Sequence, residues 1–418
     1  MDASMSDESG LMQMVCVTAA VAVVVVVLAW IVRLGGSGDA ETEGPAPQAA
    51  RWVSPQPVVD AASNATRHKL ELALRVANGV ASNFQGVSAP MWYDDFEQAY
   101  MILLTIGEND IALVFDTGSA SLMVKDDRCV HRGQPCPLSK NPYRPSQHAI
   151  SLHPPDRRLD RTTFGSQTVY SRAYMDVVKM QGRAYGHVKV HSISRIEGTT
   201  TSNVMGMAPY VMQASGERKS LADDLFRDKK ERAFTIDLID DFGVVYFSRA
   251  STVDPEVRLH RAPIIVPPSF RDFSTRFYTI EFSNIRTDSG RVYDPKTRGS
   301  VPRYLMIDTG TTHTYLPREF ARTLVAEGWR NGTSSLVFNF PNGSQWCLPA
   351  SLYNDEVGRS SLIGFGGPRN AFDEAFGNTR AILVGAIAMR RTVWEHDLES
   401  MTMGWYQKQE GCMSPPQE

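Results

Sequence analysis

The sequence predicts a mostly β protein made of two related lobes with a groove between them. Three observations carry that reading: many short apolar runs separated by Gly and Pro, few helical patterns, and one motif that occurs twice. With 42% hydrophobic and 21% charged residues over 418 positions, the chain has enough apolar material for sizeable cores, which excludes a disordered or collagen-like protein. Lys plus Arg at 43 nearly balances Asp plus Glu at 46, so nothing suggests a nucleic-acid partner.

Reading from the N-terminus, residues 11–32 form an uncharged apolar run. A bilayer takes about 20 such residues as a helix, so this run is expected to be a membrane anchor. Asp2, Asp7 and Glu8 stand before it where a cleaved signal peptide, the alternative, would carry Lys or Arg. Arg33 favours a cytoplasmic downstream side. Four cysteines beyond the run (Cys129, Cys136, Cys347, Cys412) and sequons at Asn64, Asn331 and Asn342 favour a luminal or extracellular body, which is the expectation adopted. A secretory-pathway or endolysosomal membrane location follows from it.

Residues 35–57 read as a solvated linker, and 66–78 as a short helix with a basic start at Arg67, His68 and Lys69. Apolar or alternating runs at 100–106, 111–115, 177–180, 233–238 and 244–247 predict strands in a first lobe. Those at 277–282, 304–307, 336–340, 381–384 and 401–405 predict strands in a second. Helices are expected at 221–227 and 318–327. The expected organisation is tail and anchor over 1–33, linker and prosegment over 34–88, and lobes over 89–255 and 256–418.

The repeat carries most of the functional argument. Val114-Phe115-Asp116-Thr117-Gly118-Ser119 recurs as Met306-Ile307-Asp308-Thr309-Gly310-Thr311, each after an apolar strand, and Met205-Gly206 and Val384-Gly385 echo each other further on. Glycine lets a strand end in a sharp turn with its N–H close to a carboxylate, and the hydroxyls can hold the carboxyl oxygens. A single Asp-Thr-Gly is an ordinary strand-ending turn. Two copies in matched settings predict a pseudo-twofold arrangement that brings Asp116 and Asp308 together. Such a pair shares one proton and titrates as a unit, so it can deprotonate a water and protonate a carbonyl oxygen.

On these residues the chain resembles a pepsin-like aspartic protease over about residues 91–406. The resemblance implies a bilobal pepsin-like fold, peptide or protein substrates and a catalytic dyad of Asp116 and Asp308. Thr117 and Thr309 would brace the loops, Gly118 and Gly310 would turn them, and Ser119 and Thr311 would hydrogen-bond the carboxylates. No cofactor and no metal are implied. Two unlike copies in one chain imply a monomer, unlike the retroviral-type enzymes that dimerise one copy. The alternative reading is an inactive or weak protein that keeps the fold to bind peptides.

The chain departs from the family pattern at several points. The flap, normally Tyr followed by Gly, matches Phe164, Gly165 and Ser166, and the tryptophan expected seven residues after the first Asp is Met123. A more apolar flap that positions substrate less firmly is expected, with Phe164 as a plain core residue the alternative. Ala386 stands where the family often has Asp, and the Gly-Thr-Pro turn before the first motif is missing. Cys129, Cys136, His148 and His153 loosely imitate a zinc site, although the first gap is too wide. The resemblance instead implies a Cys129–Cys136 disulfide, and Cys347–Cys412 is the remaining pairing. The basic stretch near residue 67 is expected to cover the dyad as an inhibitory prosegment, with a solvated linker helix as the alternative.

Overall fold

A computed structural model describes residues 86–408, apart from 137–141, 155–157, 165–166, 199–201, 213–217, 228, 268–274, 328–333, 350–361 and 365–379. The apolar run at 11–32, the linker and the expected helix at 66–78 lie outside the described residues. Among the described residues, no helix is long and apolar enough to cross a membrane.

The molecule is mostly β. Its largest sheet starts at His260–Pro263 and runs through Thr402–Gln407, Thr392–Asp397, Ala233–Ile239, Phe242–Tyr246, Ser88–Asp94 and Ala99–Ile106 to Asn109–Asp116. It continues through Val204–Gly206, Leu122–His131 and Arg183–Glu197 to Gln167–Met180. Strands near the C-terminus thus pair directly with strands of the first half, through the register Ile236↔Trp394. A second sheet orders Tyr278–Glu281, Tyr304–Ile307, Ala381–Val384, Thr314–Leu316 and Leu362–Gly364.

The strands at 304–307 and 381–384 coincide with the expected bounds, and the helices Leu221–Leu225 and Arg318–Ala326 end a residue or two early. The expected run at 177–180 is only the end of a longer strand, Gln167–Met180. Its buried positions include Ser171 and Ala173, residues too small or too polar to signal a strand by hydropathy. Arg183–Glu197 escaped for the same reason, since Val188, Val190 and Ile193 are interleaved with Lys189, His191 and Ser192.

One core joins the two halves, and aromatic contacts carry much of it. Phe234 meets Phe115 edge-on at 6.0 Å and Tyr278 at 5.9 Å between ring centroids. The imidazole of His396 stacks on Phe234 at 4.4 Å and an interplanar angle of 5°, and meets Tyr278 edge-on at 4.4 Å. Trp394 bridges Trp346 at 5.3 Å and Trp405 at 6.3 Å. Such pairs add stabilisation beyond the apolar area they bury, on the order of 0.5–1.5 kcal/mol each.

His396 is fully buried, and neither ring nitrogen has a hydrogen-bond partner. Burial pushes its pKa down to about 3. The unfolded chain therefore takes up a proton near pH 6.5 while the folded chain refuses it, and stability drains away as pH falls from about 6.5 towards 3. Each pH unit within that window costs up to about 1.4 kcal/mol. Melting curves between pH 7 and pH 4 check this: His396→Leu should flatten the acid-side decline relative to the native chain, whatever it does to stability at pH 7.

Candidate active site

Asp116 ends the strand Asn109–Asp116, and Asp308 follows Tyr304–Ile307. In the first half, that strand runs parallel to Val204–Gly206, which pairs antiparallel with Leu122–His131; Val114, Val204 and Met123 sit side by side. In the second half the same pattern recurs, with Met306, Leu383 and Tyr315 side by side. The echoing glycines are where these layers meet the loops. A Cβ on Gly206 would lie 2.7 Å from the Ser119 carbonyl oxygen, and one on Gly385 2.8 Å from the Thr311 oxygen.

The two loops hold each other reciprocally. Thr117 N–H donates to Thr309 Oγ1 at 3.0 Å, and Thr309 N–H donates to Thr117 Oγ1 at 2.9 Å. Each hydroxyl then donates across to the carbonyl preceding the opposite aspartate: Thr117 to Ile307 at 3.2 Å, and Thr309 to Phe115 at 2.6 Å. All four groups are buried, so these bonds form without competition from water.

Each carboxylate accepts the same two bonds. Asp116 takes Gly118 N–H at 2.7 Å and the Ser119 hydroxyl at 2.5 Å. Asp308 takes Gly310 N–H at 2.9 Å and the Thr311 hydroxyl at 2.6 Å. The remaining space belongs to the other acid. A Cβ on Gly118 would fall 2.6 Å from Asp308 Oδ1, and one on Gly310 would collide with Asp116. The two carboxyl groups are therefore neighbours, each filling the space beside the other loop's glycine. Burial and then the neighbouring Asp116 charge push Asp308 well above the usual carboxylate range, against the pull of the Thr311 and Gly310 donors.

The other expected residues divide into those the structure places and those it does not describe. Cys129 and Cys136 form a disulfide with Cα atoms 5.3 Å apart, so their thiolates are not free for zinc. His153 pairs with Asp160, and no group of metal-ligating side chains occurs among the described residues. Cys347 is disulfide-bonded, whereas Cys412 lies outside the described residues. Of the sequons, Asn342 is exposed in a turn, and Asn64 and Asn331 lie outside the described residues. Phe164 ends the strand Asp160–Phe164 opposite Gln167, in the hairpin expected for the flap; Gly165 and Ser166 at its tip are likewise outside.

Met123 is buried with the Cys129–Cys136 disulfide, Val169 and Ile193. Its counterpart in the second half, Tyr315, is a residue that sequence reasoning missed. Burial and then the Asp308 charge raise its phenol above its ordinary range. The signal was available: Tyr315 stands seven residues after Asp308, as Met123 does after Asp116. Ala386 is buried and its N–H donates to the Thr311 oxygen at 2.7 Å, a backbone role open to any small residue.

The sheet pattern and the paired acid loops define a mostly β, bilobal fold of the pepsin-like aspartic peptidase class. The sequence model of the eukaryotic aspartyl proteases matches residues 99–404, and the chain belongs to that family. No curated protein matches the chain.

Replacing Thr117 by Val removes the acceptor of Thr309 N–H and the donor to the Ile307 carbonyl, leaving two buried groups unpaired. At about 1–3 kcal/mol per unpaired group, Thr117→Val should lower the unfolding free energy by about 2–6 kcal/mol in urea titration. Ser119→Ala, at the rim of the same site, should cost about 1 kcal/mol.

Proposed function

We propose that the protein is an aspartic endopeptidase that hydrolyses peptide bonds in acid through Asp116 and Asp308. The observation that carries this reading is the juxtaposition of two buried carboxyl groups, each packed against the other's loop glycine and each given the same pair of donors by its own loop. With one proton shared, one carboxylate takes a proton from water as the oxygen attacks the peptide carbonyl. The other carboxyl protonates the carbonyl oxygen. Collapse of the tetrahedral species returns a proton to the leaving amine. No covalent intermediate and no cofactor is needed, and one polypeptide supplies both acids, so a monomer suffices.

The raised Asp308 sets the sign of the pH dependence. The carboxyl keeps its proton across the acid range and loses it as pH rises, so hydrolysis should decline towards the alkaline side as the pair becomes doubly charged. Lobes over 89–255 and 256–418 would each supply one acid, with the flap at Phe164, Gly165 and Ser166 covering the substrate. The run at 11–32 would tether the body on the luminal or extracellular side of a secretory or endolysosomal membrane. The Cys129–Cys136 disulfide supports an oxidising compartment. The basic stretch near residue 67 would cover the dyad until acid releases it.

Digestion of a peptide library at acid pH tests the assignment. The native chain should cleave, pepstatin should block it, and Asp116→Asn should reduce kcat by about 10³-fold or more. Pepstatin binding without cleavage would instead identify a peptide-binding protein that keeps the fold. Phe164→Tyr supplies the hydroxyl the family flap carries and should raise kcat/KM; an unchanged or lower value contradicts a loosely positioned flap.

A further inference from the structure

The flap hairpin is an arm with an unusual root. Asp160–Phe164 pairs with Gln167–Met180 and with no other described strand. The opposite edge of Gln167–Met180 is covered along its length by Arg183–Glu197. The edge that carries the arm is covered piecewise: by the arm up to Asp160↔Ser171, by Ile150–Ser151 at Ser151↔Tyr174, and by Ala99–Ile106 at Ile106↔Val178. Leu152 N–H also donates to the Ala173 carbonyl at 2.9 Å, so a narrow seam falls at Arg172, between Ser171 and Ala173. The register with Arg183–Glu197 also slips between Tyr170 and Ser171, so the ladder is irregular on both edges at one level. The buried Ser171 hydroxyl there has no hydrogen-bond partner.

Across this seam His153 Nε2 lies 2.8 Å from Asp160 Oδ2, with the two side chains 3% and 18% exposed. The contact joins an imidazole nitrogen to a carboxylate oxygen, and both side chains are largely shielded from water. His153 follows the short strand Ile150–Ser151, and Asp160 is the first residue of the arm, so the pair ties the arm to the body where the backbone ladder is interrupted. A second, apolar tie lies further out: Val169 of the arm packs with Met123 and Val204, which stand beside Val114, two residues before Asp116.

We propose that His153 and Asp160 are positioning residues that fix the root of the flap hairpin over the Asp116 loop and so set how tightly a peptide is held. The proposal rests on the peptidase reading only for the identity of the ligand. Without this tie the strand Asp160–Phe164 is held only through Gln167–Met180, whose own ladder to Arg183–Glu197 slips at Ser171, and by the packing of Val169, so a smaller fraction of molecules holds the seated arrangement. Apparent affinity falls by that fraction, while the dyad chemistry of seated molecules is untouched.

The test compares the native chain with Asp160→Asn, His153→Gln and the charge-preserving Asp160→Glu. It uses amide hydrogen exchange, pepstatin affinity and steady-state peptide cleavage. In Asp160→Asn and His153→Gln, exchange in residues 160–164 and 167–170 should speed up about tenfold, with Asn109–Asp116 unchanged. Pepstatin affinity should weaken and KM rise about fivefold, with kcat within about twofold. Asp160→Glu should stay close to the native chain in all three. Unchanged exchange in the arm, uniformly faster exchange throughout, a loss in kcat alone, or an Asp160→Glu variant as impaired as Asp160→Asn would each overturn the proposal. A native chain that cleaves nothing, while exchange and pepstatin affinity respond as described, would sink the peptidase reading and leave the tie standing.

Discussion

Everything at the centre of this molecule depends on the reciprocal bonding of Thr117 and Thr309. Each backbone N–H is satisfied by the other's hydroxyl, and each hydroxyl by a carbonyl of the other loop. Taken singly these are ordinary hydrogen bonds, with a net worth of about 1 kcal/mol apiece. Their effect is geometric. Neither loop can shift without breaking two buried bonds, so the separation of the acids one residue upstream is inherited from the threonines. Gly118 and Gly310 complete the constraint, because each leaves room for the opposite carboxyl group and for nothing larger.

Two acids held this way make opposite demands on pH from the rest of the core. The raised Asp308 stabilises the fold while its carboxyl stays protonated, and that contribution is lost as pH rises through its folded pKa. His396, stacked on Phe234 without a hydrogen-bond partner, is stable only while neutral and penalises the fold as pH falls below about 6.5. Falling pH therefore strains the aromatic core while it keeps the Asp308 carboxyl neutral.

The internal symmetry is kept at the backbone and released at the side chains. Both halves use the same three-strand arrangement and the same register behind the acid, yet Met123 in one corresponds to Tyr315 in the other. In the first half this position belongs to an apolar cluster with the disulfide and the flap strand. In the second it places a phenol where the Asp308 charge is felt. The backbone must repeat because the acids must meet. The row behind them is free to diverge, as Met123 and Tyr315 do.

Much of this was legible in the chain itself. The Asp-Thr-Gly repeat identified both acids and their supporting residues, and sharp apolar runs such as 304–307 and 381–384 gave strands at their true bounds, because burial on both faces leaves an unbroken hydropathy signal. Gln167–Met180 and Arg183–Glu197 were only partly legible or missed, since their inward positions include Ser171, Ala173 and His191, whose burial comes from neighbours and not from their own hydropathy. The pairing of Asp160 with His153, the isolation of His396 and the contact of each loop glycine with the opposite acid were not legible at all. Composition and spacing determined which residues form the two acid loops, because strand-ending turns are local. Only the tertiary structure decided how near the acids lie, which histidine stays neutral and where the hairpin that starts at Asp160 meets the rest of the sheet, because those depend on distances between segments far apart in the chain.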